Sequence, residues 1–193
     1  MQDVQVIAVW SSYYLCIAAV PSRRLAAGVA RSAPQLAAYR LGLIPGTAAK
    51  SSLLAAFFRG VDEGDLRRRA TDWAVCELPS LVRPGALDRL RWHRDRDHRV
   101  VVVSASLEIF LRPWATSVGI GDVLATRLES RDGRLTGQIE GRNCQGQEKV
   151  DRLRSLVGDL ANVELYVYGD SRGDRELLGL AHHGFYRPFR GGR

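Results

Sequence analysis

Apolar residues along this chain follow two different rhythms. Residues 4–10, 100–103 and 163–168 are short, mostly apolar runs rich in Val, Ile, Leu and Tyr. Such runs lack polar alternation and suit strands buried on both faces of a parallel sheet. Between the first two runs the period lengthens. Residues 25–30, 36–43, 48–58 and 66–81 carry apolar side chains at three- and four-residue spacing, divided by Pro21, Pro34, Pro45-Gly46 and Gly60. This pattern predicts a set of helices over residues 14–81, broken at each of those residues.

Pro84-Gly85 opens a further helix, to about residue 94. After residues 100–103 the chain predicts a helix over 107–118 and a hairpin of 123–128 with 135–139 turning at Asp132-Gly133. An amphipathic helix over 149–160, the strand 163–168 and a helix over 175–181 complete the pattern. Alternating strands and helices predict an α/β fold with a doubly wound parallel sheet. Residues 1–13 and 82–193 form its expected core, and 14–81 a helical cap inserted after the first strand.

Composition narrows the class. The 193 residues are 46% hydrophobic and 25% charged, enough to bury one sizeable core. No apolar stretch reaches the ~18 residues of a membrane span, and the first twenty residues lack the Lys or Arg of a signal peptide. A cytoplasmic protein with no membrane partner is expected. Cys16, Cys76 and Cys144 are odd in number, widely spaced and outside any Cys-x-x-Cys pair, which fits reduced thiols better than disulfides or zinc. The net charge of +7 raises the question of nucleic acid. Lys occurs only at Lys50 and Lys149, and the many Arg residues are scattered without interleaved aromatics, so no specific nucleic-acid partner is expected.

Ligands of open α/β sheets bind beyond the carboxyl ends of the strands. The polar residues there are Ser11-Ser12, Ser104-Ala-Ser106 and Asp170-Ser-Arg-Gly-Asp174, joined by Lys149 at a helix start. Each has a local explanation. Ser104 and Ser106 can cap the next helix, Asp170-Ser171 can be a turn with Asp174 favoured by the helix dipole, and Lys149 can be solvated. Their joint order favours chemistry: two carboxylates four residues apart suit one Mg²⁺, and a Ser hydroxyl with a Lys ammonium completes a cup for a phosphoryl group.

In these segments the chain resembles the haloacid-dehalogenase-like hydrolases, in the branch similar to phosphoserine phosphatase. Val-Val-Val-Ser104-Ala-Ser resembles the second family motif, Gly146-Gln-Glu-Lys149 the third, and Tyr168-Gly-Asp170-Ser-Arg-Gly-Asp174 the fourth. The resemblance runs closely from about residue 84 to 181 and more diffusely through the helices of 14–81. It implies a Mg²⁺-dependent phosphomonoester hydrolase acting through an aspartyl-phosphate on a small phosphorylated metabolite. Ser104 and Lys149 would hold the phosphoryl group, and Asp170 and Asp174 the metal.

One motif departs from this pattern. The family places Asp-x-Asp-Gly-Thr after the first strand, whereas this chain has Ser11 at the nucleophile position and Tyr13 at the acid/base position. There is no Asp between Asp3 and Asp62. Neither substitute does the work of an aspartate. The sequence therefore leads one to expect an inactive or N-terminally altered phosphatase, with a non-catalytic phosphoryl-ligand-binding or interaction module on the same fold as the alternative.

Overall fold

The computed structural model describes residues 2–7 and 22–190, with side-chain environments from residue 28 onward. A six-stranded sheet organises them, built from β1 (Gln2–Ile7), β2 (Arg99–Leu107), β3 (Asp122–Arg131), β4 (Arg134–Glu140), β5 (Val163–Gly169) and β6 (His183–Tyr186). The spatial order is β4-β3-β2-β1-β5-β6. All neighbours are parallel except β3 and β4, an antiparallel hairpin. Its turn residues Asp132 and Gly133 both have positive φ, 50° and 72°, the backbone a two-residue hairpin requires.

The helices are α1 (Ser22–Arg40), α2 (Gly46–Phe58), α3 (Glu63–Cys76), α4 (Leu78–Leu81), α5 (Pro84–Arg94), α6 (Glu108–Ser117), α7 (Gln147–Val157) and α8 (Arg175–Leu178). Both faces of the sheet are covered. Val101 and Val103 point with Leu165 and Val167 into a core closed by Val150 and Leu153 of α7 and Leu177 of α8. Val102 and Tyr168 point the other way, against Leu90 of α5 and Leu111, Trp114 and Ala115 of α6. Burial on both sides is why these runs show no alternation.

Several boundaries differ from the expected ones. Helix α1 runs unbroken through Pro34. Pro34 is exposed, so water can satisfy the carbonyl it leaves unpaired, while Ser32 Oγ donates to Gly28 O at 2.8 Å on the buried side. The expected helix over 66–81 divides at Glu77, because Pro79, in the first turn of α4, cannot continue α3. Helix α8 stops at Leu178, and the chain then forms β6, an edge strand too short to announce itself in the sequence.

The helical region is fastened to the rest by a third core. Leu54, Phe57 and Phe58 of α2 and Leu66 and Ala70 of α3 are buried with Leu107, Phe110 and Leu135. Residues 60–63 also bond along β4, with Gly60 N donating to Leu135 O at 2.7 Å and Leu135 N to Val61 O at 2.8 Å. At Gly137, with φ of +81°, a Cβ would lie 2.7 Å from Ala55 Cα, so α2 rests directly on the strand backbone. Gly137→Ala is expected to cost more than about 1 kcal/mol from backbone strain and this clash together, measurable by urea unfolding.

His93 is fully buried at the end of α5, its Nε2 2.9 Å from Tyr168 Oη and its Nδ1 2.9 Å from His98 Nδ1. Burial, reinforced by the nearby His98, Arg89 and Arg96, pushes its pKa down to about 3. An unfolded chain takes up this proton near pH 6.5 and the folded one does not, so stability is full above that pH. It is expected to fall on acidification by up to about 1.4 kcal/mol per pH unit. Unfolding of the wild type and of His93→Gln across pH 7 to 4 checks this; parallel curves would exclude His93 as the source.

Candidate active site

The carboxyl edge of the sheet is set by strand register. Ile7 of β1 pairs with Val102 on one side and with Tyr168 on the other. Ser104 and Asp170, each two residues further along, therefore stand at the same height on strands separated by one other, roughly 10 Å apart. Ser104 is fully buried, and its Oγ accepts from Ser106 N at 3.1 Å. The capping explanation for Ser104 and Ser106 does not hold: β2 continues to Leu107, which stands at the N-cap of α6. A register shift between Ser104 and Leu107 bulges residues 105 and 106 out of the β3 ladder.

Lys149, in the first turn of α7, lies under this edge. Its Nζ donates to Val103 O at 3.0 Å and to Asp174 Oδ1 at 2.5 Å. The two side chains are only 5% and 4% exposed, so Lys149 is not solvated. The other oxygen of Asp174 accepts from Asp170 N at 3.1 Å, Ser171 N at 2.8 Å and Ser171 Oγ at 2.7 Å. Burial alone would raise the Asp174 pKa, but the charge and hydrogen bond of Lys149 and the bonds from Ser171 outweigh it and hold the carboxyl below its ordinary value. Both Asp174 oxygens are thus committed to shaping the loop after β5.

Asp170 is differently placed. Its Oδ1 accepts from Arg190, with Nε at 2.7 Å and Nη2 at 2.6 Å, while its Oδ2 is buried without a hydrogen-bond partner among the described residues. An orphaned carboxylate oxygen is costly unless a cation or donor completes it. Mg²⁺, which keeps several waters and takes one or two carboxylates, fits such an atom. Among the described residues, no group of three or more His, Cys, Asp or Glu side chains is arranged to hold a metal.

A residue missed in the sequence reaches the same strand as Lys149. Lys50, from α2, is 4% exposed and donates to Ala105 O at 2.5 Å and to Asn143 Oδ1. Thr126 Oγ1 lies 3.5 Å from Lys50 Nζ and 3.0 Å from Ala105 O, and accepts from Cys144 N at 3.1 Å. Lys50 shares with Lys149 the one signal that could have found it, rarity in a chain whose other cations are all Arg. Burial pushes the Cys144 thiol pKa up, so this cysteine is an inert packing residue. Ser11, Tyr13 and Cys16 lie outside the described residues.

With this geometry in view, the sequence matches the haloacid dehalogenase-like hydrolase family over residues 7–179. The chain belongs to that family, in its phosphoserine-phosphatase-like branch. It is similar to the protein CicA of Caulobacter vibrioides, 36% identical over 165 residues, which are 85% of this chain and 73% of CicA. Phosphoserine phosphatase of Methanocaldococcus jannaschii is 31% identical over 91 residues, 40% of this chain and 43% of that protein. A probable phosphoserine phosphatase from Vibrio cholerae shares the fold, with a TM-score of 0.71 at 17% identity, over 96% of this chain and 56% of that one.

The Lys149–Asp174 pair makes a prediction of its own. Lys149→Met leaves Asp174 buried without its cation and is expected to destabilise the protein by about 3–5 kcal/mol. The double variant Lys149→Met/Asp174→Leu is expected to recover much of that loss. Because the Asp174 pKa is lowered, the pair's contribution is present above about pH 3.8 and is lost as pH falls further. Urea unfolding of the three proteins, at neutral pH and near pH 3, reads both effects.

Proposed function

We propose that the carboxyl edge of the sheet is a Mg²⁺-dependent phosphoryl-binding site for a small phosphorylated metabolite, closed by residues 14–81 acting as a cap over a core of 1–13 and 82–193. The observation that carries this reading is the buried, unpartnered Oδ2 of Asp170, held beside the Lys149–Asp174 pair and level with Ser104. Mg²⁺ bound there would draw charge from the phosphoryl oxygens. In this assignment Asp170 faces the cation and Asp174 supports it through Lys149 and the 170–171 amides, so the two carboxylates expected to share the metal divide the work. Ser104 supplies a hydroxyl to a phosphoryl oxygen, and Lys149 contributes its positive charge beneath it.

Membership in the hydrolase family makes phosphate ester cleavage the activity to test, and the missing aspartate limits it. Removing a covalent nucleophile has cost about 10⁶ in kcat elsewhere, and no Asp lies between Asp3 and Asp62 here. This specific observation favours a second reading: the same site, used to bind a phosphoryl ligand without turning it over.

Calorimetry of the chain with Mg²⁺ and inorganic phosphate is expected to show phosphate binding that requires the metal, weakened at least about tenfold in Asp170→Asn. Equal Mg²⁺ affinity in both proteins removes Asp170 from the site. With p-nitrophenyl phosphate, slow or absent release is expected from the chain as it stands. Rapid Mg²⁺-dependent release, abolished in Asp170→Asn, would mean that another group serves as nucleophile.

A further inference from the structure

Lys50 is a buried cation to which the phosphoryl site gives no chemical task. It reaches across from α2 to two separate segments of the core. Its Nζ donates to Ala105 O, in the β2 bulge beside Ser104, at 2.5 Å, and to the side-chain Oδ1 of Asn143, in the loop before α7. A charge withdrawn from water is costly, and an apolar side chain of the same length would fill the same contact between helix and strand at lower cost. Packing therefore does not explain the ammonium. What the ammonium adds is a hydrogen-bonded junction between α2, the Ser104 segment and the loop that leads to Lys149.

Beyond Asn143 the line of contact continues. Asn143 Nδ2 donates to Gln145 Oε1 at 2.9 Å. Gln145 lies against Gly173, where a Cβ would fall 2.7 Å from Gln145 Cγ, and Gly146 N donates to Gly173 O at 3.0 Å. Gly173 is buried within the turn from Asp170 to Asp174, whose ends hold the unanswered Asp170 Oδ2 and the partner of Lys149. On the outer side, a cleft of about 510 Å³ separates Tyr39 and Thr47 of the helical region from Arg142 and Gln145. The 143–146 loop is thus tied to α2 on its inner side and open on its outer one.

We propose that Lys50 is a positioning residue for the phosphoryl site, passing the seating of α2 through Asn143 and Gln145 to the turn that carries Asp170 and Asp174. The inference rests on the reading of that edge as a Mg²⁺-dependent phosphoryl site and adds a regulation to it. Lys50 touches no reacting atom. It acts on Ser104 through the Ala105 carbonyl and on Asp170 through the 143–146 loop. Coupling between two places in a protein is reciprocal. A seated α2 favours the geometry in which Asp170 Oδ2 takes the cation, and Mg²⁺ with phosphate on that edge holds α2 in its seat.

The test compares the wild type with Gln145→Met, Lys50→Met and the double variant by amide hydrogen exchange, first without ligand and then with Mg²⁺ and inorganic phosphate. Gln145 is exposed, so Gln145→Met removes the acceptor from Asn143 with little effect on overall stability. Without ligand, each single variant is expected to speed exchange of residues 170–174 by about tenfold or more, and the double variant no further, because both cut one line of contact. With ligand, residues 46–58 of α2 are expected to exchange about fivefold more slowly in the wild type and at an unchanged rate in Gln145→Met. A purely structural role for Lys50 would leave that response in place. Equal exchange of 170–174 in the wild type and Gln145→Met overturns the proposal, whether or not Lys50→Met folds. Effects that multiply in the double variant overturn it in favour of two separate supports. Phosphate binding by calorimetry without slower exchange in α2 overturns the coupling alone. Absence of phosphate binding overturns the phosphoryl-site reading and the proposed role with it, while the ligand-free comparison still reads the line of contact by itself.

Discussion

The ion pair of Lys149 and Asp174 is the constraint to which the carboxyl edge of the sheet is fitted. Two charges almost wholly withdrawn from water are costly, and they persist only where every remaining donor and acceptor is answered. Here Val103 O takes a second Lys149 proton, and the Ser171 hydroxyl with the 170 and 171 amides saturates the far oxygen of Asp174. That saturation shapes the loop after β5. It turns the backbone of Asp170 toward Asp174, and the Asp170 carboxylate is left with one oxygen on Arg190 and one unanswered.

The two lysines bracket Ser104. Lys149 bonds the carbonyl on one side of it, Val103 O, and Lys50 bonds the carbonyl on the other, Ala105 O. The Ser104 backbone is thereby held from the core helix α7 and from the helical region at once. An ammonium on a flexible stem can reach a single buried carbonyl where a planar guanidinium needs more room, a physical reason for lysine at two places in a chain that otherwise uses arginine.

The helical region and the sheet are mechanically one body on the side away from α1. Phe57 and Phe58 of α2 share a core with Leu107 and Phe110 at the end of β2 and start of α6. Trp73 of α3 meets Phe110 edge to face, with ring centres 6.0 Å apart. The side that departs from this packing is the tip of the α1–α2 hairpin, where Leu41 and Leu43 are exposed. Helix α2 thus carries both the packing near Ser104 and, just before its start, the exposed leucines.

Local pattern by itself determined the strands at the sheet centre, the Asp132-Gly133 hairpin, the helical character of the region before residue 82 and the order of the Ser104, Lys149 and Asp170–Asp174 segments. Each of these is encoded by neighbours a few residues apart, through period, turn chemistry or spacing. Tertiary structure decided the rest. Pro34 sits inside a helix because its face is exposed, and β6 forms because β5 offers an edge. Lys50 joins the site because α2 packs over the β2 bulge. Asp174 belongs to Lys149 while Asp170 keeps a free oxygen, a division between two similar carboxylates that depends on which one the sheet buries. Burial and contact between residues 25 to 93 positions apart follow from strand order and packing, and a reading of local periodicity carries no information about either.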